Sequence, residues 1–89
     1  MKFKRGDKVY IKLSVTEKDV RRWHDRNYLV EDVKRLQDNI TQLTIRRMSE
    51  FEEWGYEFEE YDKCYIPESF LTKYLCDIQY YREGVSNEN

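Results

Sequence analysis

Pro67 does most to narrow what this chain can become. It has no backbone N–H and a fixed φ, so a strand arriving through Tyr65 and Ile66 must stop and turn there. Phe70 and Leu71 follow at the spacing of a single 3₁₀ or α-helical turn, enough to fold two apolar side chains back under a sheet. A strand, one turn and a second strand make the closing corner of a small barrel.

The 89 residues fit one domain near the smallest size that builds its own core. Charged residues make up 38% and aromatic residues 16%, and that aromatic content argues for folding, because disordered chains lack it. The expectation is one domain over residues 1–83 followed by a mobile polar tail, 84–89. Met1 to Asp7 contains no apolar run long enough for a signal peptide or a membrane span, so a cytoplasmic location is expected. Cys64 and Cys76 are too few and too far apart for a zinc site, and they read as reduced packing residues with no cofactor implied.

At the other end of the chain, Arg5-Gly6-Asp7 is a turn signal. After it Val9, Ile11 and Leu13 alternate with Lys8, Tyr10 and Lys12, the pattern of a half-buried strand. A Gly-Asp-x-Val turn entering the first strand, together with the Pro67 corner, resembles small SH3-like barrel proteins encoded by phages and other mobile elements. The resemblance implies a mainly β fold, a small SH3-like antiparallel barrel. It would carry a short helical turn in its first loop and a 3₁₀ or helical turn after Pro67.

Within that frame, Thr16 and Asp19 have the spacing to cap a short helix carrying Val20 and Trp23 on one side. Tyr28 to Lys34 reads as a strand, with a bulge needed to bring both Val30 and Val33 inward, and Leu36 to Asn39 reads as a turn. Ile40 to Met48 is the third strand, with Leu43 and Ile45 on one face. Ser49 to Gly55 is an acidic hairpin tip around Trp54, and Tyr56 to Tyr65 is the fourth strand. Past the corner, Phe70, Leu71, Tyr74, Leu75 and Ile78 fit a helical stripe, whereas Cys76, Ile78 and Tyr80 fit a strand; both readings stay open for residues 75–82.

Groups for catalysis are sparse. His24 is the only histidine and sits in a basic loop, Ser69 lacks the glycines of a nucleophile elbow, and Gly6, Gly55 and Gly84 stand apart, forming no phosphate loop. The expectation is that this is not an enzyme.

Charge distribution is more informative. Residues 1–47 carry thirteen Lys/Arg and seven Asp/Glu, whereas residues 48–89 carry three and eleven. Between Glu50 and Asp62 seven carboxylates are interleaved with Phe51, Trp54, Tyr56, Phe58 and Tyr61, with no Lys or Arg. One reading is a solvated face whose acids pair with Arg46 and Arg47 across the strands. The other is an interaction surface made of Glu50, Glu52, Glu53, Trp54, Tyr56, Glu57, Glu59, Glu60 and Tyr61. In it, aromatic anchors hold a basic partner protein while the charges steer encounter. Such a carboxylate row can stand in for phosphates. A phage protein that inhibits a host nucleic-acid-handling or defence factor, as an anti-CRISPR protein does, is the concrete expectation.

The alternative is direct nucleic-acid binding through the basic loop, with Lys18, Arg21, Arg22 and Arg26 on phosphates and Trp23 stacked on a base. A polyproline groove is a third candidate, with Phe70 where SH3 domains usually place a groove tyrosine, but the first loop lacks their aromatic motif and there is no Trp-Trp pair. Self-association is left open.

Overall fold

The turn at Arg5-Gly6-Asp7 delivers the chain into β1 (Lys8–Ile11) in a computed structural model that describes residues 2–74. Gly6 takes φ +90°, the Asp7 N–H donates to the Lys4 carbonyl at 3.0 Å, and the Asp7 carboxylate accepts from the Lys4 N–H. A turn of this kind needs a residue that tolerates positive φ at its third position. Val9 and Ile11 then point into the core while Lys8 and Tyr10 face outward. The segment 75–82 left between strand and helix, Cys76 and the 84–89 tail lie outside the described residues.

Thr16 caps α1 (Glu17–Trp23) as its spacing implies: its hydroxyl accepts from the Asp19 N–H at 3.2 Å, and Asp19 accepts from the Thr16 N–H at 2.9 Å. The Thr16 N–H first, then its hydroxyl, hold the Asp19 carboxyl below its ordinary range. Val20 is buried and Trp23 half-buried, on one side of the helix.

The next element corrects the sequence reading. Residues 27–38 form a helix, α2 (Asn27–Asp38), where a bulged strand over Tyr28–Lys34 and a turn at Leu36–Asn39 were expected. Leu29, Asp32, Val33 and Leu36 are buried, a spacing that makes one helical face. Val30 and Val33 both approach the core because they sit three apart on a helix, so no bulge is needed. The helix stops at Asn39 with the two bonds of a Schellman motif. The Ile40 N–H donates to the Gln37 carbonyl at 3.1 Å and the Thr41 N–H to the Leu36 carbonyl at 3.0 Å. Ile40 has φ +48°, a conformation usually left to glycine or asparagine.

β2 (Leu43–Met48) buries Leu43 and Ile45 as expected and pairs antiparallel with β1. A bulge does occur, but here: Ile45 faces Phe58 and Arg47 faces Glu57, leaving Arg46 as the extra residue on β2. A 3₁₀ turn (Glu52–Trp54) crosses the tip, and β3 (Tyr56–Phe58) returns, shorter than the strand expected to reach Tyr65. Beyond it the chain turns at Glu59 and Glu60, and Ile66 comes back to exchange two hydrogen bonds of 2.9 Å with Tyr56.

The Pro67 corner forms as expected. A 3₁₀ turn (Glu68–Phe70) leads into β4 (Leu71–Thr72), which pairs with β1, and Phe70 and Leu71 are both buried. The strand order is β3-β2-β1-β4, all antiparallel. The described residues thus show a four-stranded antiparallel sheet and two helices, an open sheet and not a closed barrel. Its core joins Val9, Ile11, Leu43, Ile45, Tyr56 and Phe58 of the sheet to Val20 of α1 and Leu29, Val33 and Leu36 of α2. Gln37 holds α2 against the loop after β1, its side-chain amide donating to the Lys12 and Val15 carbonyls at 2.8 Å each.

Candidate functional site

Of the nine residues expected on an acidic partner surface, Tyr56 and Tyr61 are corrected to the core, at 0% and 5% exposure. Their hydroxyls do structural work. Tyr56 accepts from the Phe3 N–H at 3.0 Å and donates to Glu68 at 3.0 Å, tying the start of the chain to the corner. Tyr61 donates to the buried Asp32 at 2.8 Å, and Asp32 also meets Arg35 at 3.0 Å and Lys63 at 3.7 Å. A carboxylate buried on the apolar face of a helix requires such partners.

Three of the acids are also committed within the fold. The bulge brings consecutive arginines to one carboxylate: Arg47 lies 3.1 Å and Arg46 3.8 Å from Glu57, and Arg46 also lies 2.9 Å from Glu59. Glu60 accepts from the Thr44 N–H at 2.6 Å and from its hydroxyl at 2.7 Å. Partial burial works to raise the Glu60 carboxyl, but these two donors, followed by its own N–H and Lys8, bring it below the ordinary value. Pairing of the acids with Arg46 and Arg47 is therefore real, and the row of carboxylates is interrupted by cations. At the tip, Glu50 and Glu53 are exposed and make no ion pair with a described residue.

In the basic loop, Arg21 is held by Glu17 at 2.9 Å, by Asp25 at 2.8 Å and by Asn27 at 2.9 Å. Lys18, Arg22 and Arg26 are exposed. Trp23 is half-buried, and its ring meets that of Phe70 in an edge contact, centroids 5.5 Å apart at 74°.

The two rival sites meet in one place. Trp23 from α1 and Trp54 from the tip line a single cleft of about 550 Å³, with Tyr28 at the start of α2, Tyr65 before the corner, Cys64 and Glu53 completing most of its wall. Trp54 leans on Phe51, centroids 4.8 Å apart, and on Tyr65 at 6.4 Å. Phe51 and Trp54 remain 51% and 48% exposed. Burial pushes the Cys64 thiol up, more than the neighbouring Tyr28 hydroxyl lowers it, which favours the protonated form. Tyr28, Cys64, Tyr65 and His24, which also borders the cleft, were not grouped by sequence reasoning. They come from segments joined only by the fold, and no local spacing marks them.

Among the described residues no group of three His, Cys, Asp or Glu is placed to hold a metal ion, and no helix is long and apolar enough to cross a membrane. Comparison of the chain with protein families, curated proteins and solved structures finds no match.

Proposed function

We propose that this chain is a non-enzymatic protein-binding module of SH3-like barrel type, and that its binding surface is the tip between β2 and β3 together with the cleft beside it. The observation that carries the reading is the convergence of Trp23 and Trp54 on one open cleft, with the packed pair Phe51 and Trp54 half in water. Exposed, contiguous large rings on a small domain are the usual anchors of protein interfaces. Support for the barrel type comes from the pairing of the first and last described strands, the 3₁₀ turn between Pro67 and β4, and the return of Ile66 along β3.

The partner is a protein with a basic surface, of the kind that handles nucleic acid, and a mobile-element protein acting on such a host factor fits this chemistry. Glu50 and Glu53, which make no ion pair with a described residue, steer its approach, and the rings hold it. Since Glu57 and Glu59 are shared with arginines, recognition rests on side chains at the tip more than on a phosphate-like row. Direct nucleic-acid binding is less well supported, because Arg21 is already held by Glu17 and Asp25.

The test is capture of a partner from host lysate by the tagged protein, run beside Trp54→Ala and Lys34→Ala. Lys34 is exposed on α2 and does not line the cleft. A partner kept by the unmodified protein and Lys34→Ala and lost by a folded Trp54→Ala supports the reading; equal retention by all three places the interface elsewhere.

A further inference from the structure

The walls of the cleft have an unusual chemistry. Among the described residues, five of the eight that line it carry aromatic rings and the other three are Glu53, Lys63 and Cys64, so none of these walls is aliphatic. Binding pockets in general mix hydrophobic and aromatic side chains with a few placed polar groups, and in this one rings dominate. Ring faces carry negative quadrupolar charge and attract a cation within about 6 Å of the ring centroid, most strongly tryptophan. Here two tryptophans and two tyrosines share a space of about 550 Å³, with the Glu53 carboxylate beside them.

Charges near the cleft favour the same occupant. Glu53 makes no ion pair with a described residue, nor does Glu50 in the same tip, while the acids further along are already matched to Arg46 and Arg47. The lining cation, Lys63, has its ammonium 3.7 Å from the buried Asp32, whose charge offsets it. The arginines of the bulge and of α1 do not line the cleft. The described residues thus build a cation-seeking wall and place no guanidinium of their own in it.

We propose that the cleft between Trp23 and Trp54 receives an arginine side chain of the bound partner, its guanidinium against the ring faces and paired with Glu53, and its methylenes along Tyr28 and Tyr65. This rests on the protein-binding reading above and names what that surface recognises. Arginine fits better than lysine, because a planar, weakly hydrated guanidinium stacks on rings and bonds a carboxylate through two N–H groups at once.

N-acetyl-arginine amide, titrated into the protein while the indole N–H signals of Trp23 and Trp54 are followed by NMR, tests this directly. N-acetyl-lysine amide and N-acetyl-leucine amide serve as comparison probes. The expected result is a saturable shift of both indole signals with the arginine probe, weaker binding of the lysine probe, and no saturable shift with the leucine probe. Glu53→Gln should weaken the arginine probe about tenfold, the size of losing one charge-assisted contact. A leucine probe that binds as well as the arginine one overturns the cationic assignment and leaves the protein-binding cleft standing. Silence with all three probes overturns the cleft as a binding site altogether. Unchanged arginine binding in Glu53→Gln removes the carboxylate from the proposal and so overturns its paired geometry.

Discussion

The carbonyl oxygen of Ile66 stands 1.9 Å from where a Cβ on Gly55 would be. Gly55 also has φ +90°, and its own carbonyl accepts from the Ser49 N–H at 2.9 Å, closing the tip. Both the space and the backbone angle exclude any other residue, and what must move is backbone. Gly55→Ala should therefore destabilise the protein by roughly 2–4 kcal/mol, read as a drop in urea midpoint. An unaltered midpoint would contradict the close approach of the two segments.

At the corner, Leu71 is 1% exposed and pairs with Ile11 across the β1–β4 ladder. Leu71→Ala should cost roughly 2–5 kcal/mol from lost burial and the cavity left behind. Lys73, by contrast, reaches Asp7 at 3.1 Å and lies 5.7 Å from the Phe3 ring centre at the surface. Lys73→Ala should cost no more than about 1 kcal/mol. Equal losses in the two variants would show that β4 does not seal the core.

Ile40 offers a gain in stability. A β-branched residue at φ +48° is strained, yet both Schellman hydrogen bonds depend on that angle. Ile40→Asn keeps the bonds and accepts the angle, so it should stabilise the fold by about 1 kcal/mol. Thermal unfolding checks this: the midpoint should rise by several degrees, on the order of 4–8 °C per kcal/mol in a domain this small. A fall would mean that the half-buried side chain contributes more than the strain removes.

Tyr61 contributes to the alkaline limit. Burial first, and the Asp32 carboxylate second, push its hydroxyl well above the ordinary phenol value. The folded protein keeps this proton at pH values where the unfolded chain releases it. The stability it confers is thus complete below about pH 10 and is lost as pH rises further. Tyr61→Phe should lower stability at neutral pH by roughly 1–3 kcal/mol, since Asp32 loses a donor, and should flatten the decline above pH 10. Urea midpoints between pH 7 and 11 measure both effects, and an unchanged alkaline slope would assign that decline to other groups.

Local features were the ones legible in the sequence. The Thr16 and Asp19 cap, the alternation of Val9 and Ile11, and the turn at Pro67 each depend on residues within a few positions of one another. α2 was not legible, because its buried face is Leu29, Asp32, Val33 and Leu36, and a carboxylate interrupts the stripe at the position that would have revealed its period. Tyr61 and Lys63, distant in sequence, join Arg35 in making Asp32 acceptable inside. The acidic ridge was read correctly as a charge pattern, but the inward turn of Tyr56 and Tyr61 and the pairing of Glu57 with two arginines follow from strand register, which composition does not encode. The cleft draws on three separated regions of the chain. Its rings were visible one by one, and their convergence was not.

Arg46 has a geometric consequence beyond the ion pairs it makes. It gives β2 one residue more than β3 supplies in the same ladder, so the hairpin has arms of unequal length, and such a pair must bend and twist more tightly on one side. That curvature falls just before the tip, which means that the aim of Phe51 and Trp54 is set by a count of residues upstream of them. Deleting Arg46 would equalise the arms and so re-aim the tip, although no residue of the tip itself had changed.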